Sequence, residues 1–269
     1  ASQLHEAVKD ANAMIVRSDK IDKTVIDAAP NLEIIVRAGA GFDSIDTKYA
    51  AEKSIVVENT PGQNANAVAE LVMGLLIANA RKFFSGASGT ELKGKKFGIL
   101  GFGAVGSRIA ALGHGFGMEL YTFTGDGVFA TIKPEQDYVS DTKSYDELFE
   151  TCQYLSLNLP LDDLTRGMVG YERLMKTPKN AVIINSARVE IVDEAGLEKA
   201  MDERPDIIYL SDVAPKNYAA LKEKFGDRIF ATPKKCGAQT AEANSNAGTA
   251  AANQIASFFK TGKPTFRVN

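Results

Sequence analysis

The chain has 269 residues, of which 45% are hydrophobic and 24% charged, with a net charge of −3. This fits one large or two modest globular domains with real cores, and excludes a low-complexity or disordered chain. A slightly acidic balance offers no broad basic surface to nucleic acid or an anionic membrane, so any positive potential must be local.

No apolar run approaches the ~18 residues of a membrane span, and no basic-then-apolar leader opens the chain, so a cytoplasmic protein is expected. Cys152 and Cys236 have neither metal nor redox spacing. Free thiols follow, with Cys236 expected to pack as a small hydrophobe.

The opening stretch "SQLHEAVKDA" has a helical pattern, and a chain that starts inside a helix implies an upstream element. Residues 1–64 then repeat a short helix, an apolar strand and a Gly- or Pro-bearing turn. The strands are "AMIVRS" (13–18), "EIIVRAGAG" (33–41) and "IVVENTPG" (55–62). Strands alternating with helices predict a parallel sheet in an open α/β unit. The stretch 64–84 follows as an amphipathic helix, and the Gly-rich "SGASGTELKGKK" (85–96) reads as a hinge.

A second α/β series begins at "FGILG" (97–101). Its further strands are "ELYTFT" (119–124), "YLSLNLP" (154–160), "AVIINSA" (181–187), "IIYLSDVA" (207–214) and "RIFATP" (228–233). Six strands with intervening helices predict a doubly wound sheet, whose ligands sit at the carboxyl ends of the strands. A helix over 241–260 closes the series, and "TGKPTFRVN" is expected to return to the first unit.

"LGFGAVGSRIAALG" sets Gly101, Gly103 and Gly106 in G-x-G-x-x-G between a strand and a helix, the context that makes this pattern informative. Glycines there allow a tight turn and close approach of backbone to a pyrophosphate at a helix N-terminus. The ribose-binding acid is expected about 20 residues on. Thr124 stands there, with Asp126 two positions later. A threonine does not repel a 2′-phosphate as an acid would, yet no arginine follows to welcome one. NAD is favoured, and NADP stays open.

Together the segments "IVRSDKI", "VRAGAGFDSID", "NTPGQN…VAEL", "GILGFGAVGSRIA", "LSLNLPL", "INSARVEIVDE", "LSDVAP" and "ATPKKCGAQT" resemble the D-2-hydroxyacid dehydrogenase family. Within it they are most similar to the phosphoglycerate dehydrogenases. The resemblance spans nearly the whole chain in family order. It implies a Rossmann-type doubly wound domain over 81–239. A smaller flavodoxin-like substrate domain would comprise 1–80 and 240–269, its N-terminal strand and helix missing. No ACT-type regulatory domain is expected after Asn269.

The resemblance also assigns roles. Arg188 would grip the substrate carboxylate and polarise the 2-carbonyl, as a planar guanidinium that keeps its charge can. Gly39, Ala40 and Gly41, in "RAGAG", match the family's carboxylate-binding turn. Arg17 and Ser18, with Arg37, match residues that hold a phosphorylated substrate, and parallel pairing should bring the two arginines to one end of the sheet. The cofactor set comprises Gly101, Gly103, Ala104, Val105, Gly106, Thr124, Asn158, Leu159, Pro160, Ser186, Ala187 and Asp212. Asp212 would accept from the nicotinamide carboxamide, or else serve as a structural cap. The family is usually dimeric, and the apolar helix 66–83 offers a contact.

Two family residues are absent. The usual acid/base histidine is not at its place, and the only histidines are His5 and His114, both on structural helices. The orienting glutamate is missing from "DVAPKNYAALKEKFG". Counting back from Thr240 and Gly237, the histidine's place falls on Lys235. An amine has one nitrogen and no tautomer, so it needs no orienting carboxylate.

These departures are similar to a short, lysine-using branch of the phosphoglycerate dehydrogenases. They imply NAD-dependent oxidation of D-3-phosphoglycerate with Lys235 as acid/base. Lys234 in that role, or a merely solvated loop, are the competing readings of the pair. A glyoxylate or hydroxypyruvate reductase, and a non-catalytic NAD-sensing binding protein, are the competing functions. No metal is expected.

Overall fold

The computed structural model describes residues 2–125 and 137–269; Asp126 lies outside them. In chain order the elements open with α1 (Ser2–Ala7), β1 (Ala13–Val16), α2 (Lys23–Asp27), β2 (Ile34–Arg37), α3 (Thr47–Glu52), β3 (Val56–Asn59) and α4 (Ala65–Ala80). Next come β4 (Lys96–Leu100), α5 (Ala104–Gly115), β5 (Glu119–Thr122), β6 (Val139–Asp141), α6 (Tyr145–Thr151) and β7 (Tyr154–Leu157). The chain ends with α7 (Tyr171–Lys176), β8 (Val182–Asn185), α8 (Glu194–Glu203), β9 (Ile208–Ser211), α9 (Tyr218–Phe225), β10 (Ile229–Ala231) and α10 (Ala241–Thr261). They fall into two compact units, one of residues up to Ala65 with Gln239–Asn269, the other Asn66–Ala238.

The first unit is a parallel sheet in the order β1-β2-β3. Its central strand is buried throughout, with Ile34, Ile35 and Val36 all at 0% exposure. That explains a continuous apolar run in place of alternation. One face packs on α1–α3 through Val25, Ile26, Ile35, Ala50 and Val57. On the other face Ile34, Val36 and Val56 meet Ala247 and Ala251 of α10. Small residues on α10 let it lie close to the sheet. Thr240 starts that helix, its hydroxyl accepting from the Ala243 amide at 3.1 Å. The C-terminal residues do return to this unit: the Val268 amide bonds Val57 O at 2.9 Å, and Arg267 bridges Glu58.

The second unit is a parallel seven-stranded sheet in the order β6-β5-β4-β7-β8-β9-β10. Strand order reverses between β4 and β7, the switch point at which such sheets bind ligands. One face carries α4 and α5, burying Val72, Leu76, Phe97, Ile99 and Ile109. The other carries α6–α9 over Phe149, Leu155, Ile183, Leu197 and Leu221. Truncating one such fully buried leucine to alanine costs about 2–5 kcal/mol.

Two features differ from the sequence reading. Six strands were expected in this unit, and β6 is the seventh. It has three residues, none of them buried, so no hydrophobic period marks it. The division between units falls at 65/66 in place of 80/81, because the apolar face of α4 packs in the core of the second sheet. The Gly-rich stretch 85–96, read as a hinge, therefore connects two elements of one unit. Thr90 N bonds Ala80 O at 2.8 Å, and a Cβ on Gly89 would lie 2.1 Å from the same oxygen.

Candidate active site

The expected residues of the second unit gather at one edge of its sheet. Gly101 follows β4, Thr124 follows β5 and Asn158 follows β7. Ser186 and Arg188 follow β8, Asp212 follows β9 and Lys235 follows β10. Parallel strands bring all their carboxyl ends to the same side, so one architectural fact collects them.

The glycine loop shows what each glycine is for. Gly101 has φ +92, and a Cβ there would lie 2.9 Å from the Asn158 backbone carbon. The Asn158 amide in turn bonds Leu100 O at 2.7 Å. At Gly106 a Cβ would meet Gly101 O at 2.2 Å. Gly103, the N-cap of α5, has an ordinary extended backbone, and a Cβ there would meet nothing within 4 Å among the described residues. No packing demand explains this middle glycine, whereas a ligand needing close access to the helix N-terminus does. Ala104 and Val105 form the first turn of α5, with Ala104 exposed. Leu159 is buried in the core beside Gly101, and Pro160 is exposed, its carbonyl accepting from the Thr165 hydroxyl at 2.7 Å.

Asn185 builds the turn that carries Arg188. Its Oδ1 accepts from the Ala187 amide at 3.0 Å, and its Nδ2 donates to Arg188 O at 2.9 Å and to the Tyr209 hydroxyl at 3.1 Å. Burial pushes the Tyr209 phenol up to about 12. Ser186 Oγ reaches Asn158 Oδ1 at 3.3 Å, tying this turn to the switch-point strand. Arg188 itself is half-buried, with Nη1 3.1 Å from Ala187 O. Asn185 was not among the expected site residues, although it precedes "SAR" directly; a polar amide closing the apolar run "AVII" was the signal available in the sequence.

Asp212, at 1% exposure, organises the lysine loop. Its Oδ1 accepts from the Cys236 amide at 2.8 Å, the Thr232 hydroxyl at 3.1 Å and the Cys236 thiol at 3.3 Å. Its Oδ2 accepts from the Gly237 amide at 2.9 Å. A Cβ on Gly237 would lie 2.8 Å from that oxygen, so the carboxylate needs a glycine there. Lys235 immediately precedes this clamp and is exposed, as is Lys234.

Cys236 is half-buried and hydrogen-bonded, where a packed hydrophobe was expected. Burial, then its bond to Asp212, raises its thiol above the usual range. The enclosed thiol is Cys152, pushed up to about 12 by burial. Both are free.

In the first unit, Val16 pairs with Arg37, so Arg17 and Arg37 lie at the carboxyl end of its sheet. Gly39 has φ +145, and a Cβ there would stand 1.5 Å from Arg37 Nη1. The glycine is thus where the guanidinium lies. Gly39 O accepts from the Thr60 amide at 3.0 Å and Ala40 O from Asn59 Nδ2 at 2.7 Å, which fixes the turn. The Ala40 and Gly41 amides donate to no backbone carbonyl among the described residues. Ser18 is exposed beside Arg17.

The two histidines lie elsewhere. His5 Nε2 contacts Thr24 Oγ1 at 3.1 Å on an exposed face of the first unit. His114 stacks on Tyr138 at 4.1 Å, at the end of α5 remote from the glycine loop.

Fold and site together define a doubly wound α/β protein of the dehydrogenase type. More narrowly, residues 1–269 match the family described as D-isomer specific 2-hydroxyacid dehydrogenase, catalytic domain, and the chain belongs to that family. It is 34% identical over 271 residues to the D-3-phosphoglycerate dehydrogenase of Methanocaldococcus jannaschii, covering 94% of this chain and 51% of that one. The chain therefore spans about half the length of that relative. To the hydroxypyruvate reductase of Thermotoga maritima it is also 34% identical, over 91% of this chain and 84% of that one. Its fold is similar to the NAD⁺-bound 3-phosphoglycerate dehydrogenase structure of Entamoeba histolytica, with a TM-score of 0.90 and 48% identity. That match covers 99% of this chain and 85% of that one.

Proposed function

We propose that the chain oxidises D-3-phosphoglycerate to 3-phosphohydroxypyruvate, the first step of L-serine synthesis, with NAD and with Lys235 as acid/base. The observation that carries the reading is the clamp of Asp212 on the Cys236 and Gly237 amides. It holds the lysine loop beyond β10, on the edge where Arg188 leaves β8. Likeness to an NAD⁺-bound phosphoglycerate dehydrogenase at 48% identity supports it.

The glycine loop fits a dinucleotide, since Gly103 leaves open the approach to the N-terminus of α5. NAD, when bound, supplies the hydride acceptor at its nicotinamide ring. Gly101 to Gly106 would hold its pyrophosphate, with Thr124, Asn158, Leu159, Pro160, Ser186 and Ala187 along the strand ends. Arg188 binds the substrate carboxylate and polarises the C2 oxygen, a fixed charge acting where charge develops. As the C2–H leaves as hydride, the C2 hydroxyl proton passes to the Lys235 amine. In reduction the Lys235 ammonium returns it. Asp212 fixes the loop that carries this lysine, and its Oδ2 retains a lone pair for a carboxamide donor.

For the first unit, with 239–269, we propose the substrate-binding role, and for the second the dinucleotide role. Arg17 and Arg37, with Ser18, bind phosphate. The Gly39–Gly41 turn offers its Ala40 and Gly41 amides to a carboxylate, while the Gly39 amide is held by Arg37 O at 2.8 Å. We also read the chain as a cytoplasmic homodimer.

Hydroxypyruvate reduction is the second reading, favoured by the match to a reductase over most of its length. Steady-state NADH formation with 3-phosphoglycerate and with D-glycerate, for wild type and Arg17→Ala, separates the two. Phosphoglycerate is expected to be the better substrate, and Arg17→Ala to lower its kcat/KM about a hundredfold while sparing glycerate. Equal use of both, unaffected by Arg17, would support the reductase. No turnover of any 2-hydroxyacid would leave a binding protein.

A further inference from the structure

Where a doubly wound sheet carries its ribose-binding acid, this chain has Thr124. The fold brings a carboxylate to that threonine from the neighbouring strand. Asp141 is the last residue of β6, and parallel pairing sets it opposite Thr122 of β5. Its Oδ1 accepts from the Thr124 amide at 3.0 Å and its Oδ2 from the Thr124 hydroxyl at 2.5 Å. The next residue reinforces the pairing: Thr142 donates to Thr122 O through its amide at 2.8 Å and its hydroxyl at 3.1 Å. The carboxylate is thereby fixed within hydrogen-bond distance of the position where an acid side chain would begin. It is exposed, so a ligand can reach it. A carboxylate oxygen has two lone pairs, so each retains accepting capacity after its bond to Thr124.

We propose that Asp141 sets the choice of cofactor. Its carboxylate accepts a ribose hydroxyl of NAD and repels the 2′-phosphate of NADP, with Thr124 as the adaptor that holds it in place. The proposal rests on the dinucleotide reading of the glycine loop. Opposite charge or neutrality at this point would admit the phosphate; a tethered negative charge excludes it. Thr124, just past β5, is too short and neutral to take that role itself, and the neighbouring β6 supplies the carboxylate.

Fluorescence titration of NADH and NADPH against wild type, Asp141→Asn and Asp141→Glu tests this. The Asn variant keeps the shape and removes the charge; the Glu variant keeps the charge. Wild type is expected to bind NADH more tightly. Asp141→Asn should narrow the ratio of the two dissociation constants about tenfold or more, with an unchanged melting temperature. Asp141→Glu should keep most of the preference.

An unchanged ratio in Asp141→Asn would overturn the proposal alone, leaving the dinucleotide site standing. A wild type that binds both nucleotides equally would do the same. A wild type that binds neither would overturn both this proposal and the dinucleotide reading.

Discussion

The three glycines of the phosphate loop answer to different neighbours, and substitution separates them. Gly106→Ala would drive a Cβ into Gly101 O, backbone against backbone, and should cost about 1–3 kcal/mol. Gly103→Ala meets no protein atom within 4 Å among the described residues and should leave the melting temperature nearly unchanged. It should nevertheless raise the dissociation constant for NADH about tenfold or more, because the added methyl occupies the ligand's approach. Thermal melts paired with NADH titration check both. Equal tolerance of alanine at 103 in binding would remove the physical reason for a glycine there. At this scale the sequence was legible where backbone geometry dictates residue type, as at Gly101 with its positive φ and its close approach to Asn158. It was opaque where a side chain acts on distant backbone. Nothing in "SDVA" says that Asp212 will clamp amides 24 and 25 residues later, and nothing near "SDT" says that Asp141 will reach Thr124.

Among elements, the connections between β7 and β9 show how a strand edge is stapled. Arg204, at the end of α8, donates to Thr177 O and Pro178 O, each at 2.9 Å. It pairs with Asp206 through Nε at 2.9 Å and Nη2 at 2.7 Å, and Asp206 also accepts from the Asn180 amide at 2.7 Å. One ion pair thus joins the segment before β8 to the segment before β9. The Arg204 bond, followed by the Asn180 amide, holds the Asp206 carboxyl well below the usual carboxylate range. A depressed folded pKa gives stability that is complete above the unfolded value of about 3.9 and is lost as pH falls through the folded value. Asp206→Asn should therefore cost about 2 kcal/mol at neutral pH, with the difference shrinking in strong acid. Denaturant melts across pH check this, and a pH-independent difference would contradict it. Strands with continuous apolar runs, such as β2 and β8, could be located from sequence because both faces are buried. The short exposed β6 could not, since neither period nor burial marks it.

For the whole molecule, sequence order and strand order together give the assignment. The reversal between β4 and β7 places the glycine loop at the switch point, and parallel pairing carries every other expected residue of that unit to the same edge. The outer stripe of α4 exposes Asn66, Glu70 and Gly74, and beyond it Phe84 is 70% exposed. If the proposed homodimer uses this region, Phe84→Asp should convert the dimer to monomer in sedimentation velocity without lowering secondary-structure content. Wild type sedimenting as a monomer would remove the dimer from the account. The family follows from nearly every motif; the substrate does not, because relatives of two activities share the same identity with this chain.

Moving the proton is the role proposed for Lys235. Its most direct test is the rate of NADH formation from NAD⁺ and 3-phosphoglycerate by Lys235→Ala and Lys234→Ala, with NADH affinity measured alongside. Lys235→Ala should lose about 10²–10⁴-fold in kcat with NADH binding intact, and Lys234→Ala should stay near wild type. Near-normal kcat in Lys235→Ala, with the loss appearing in Lys234→Ala or in neither, would contradict the account.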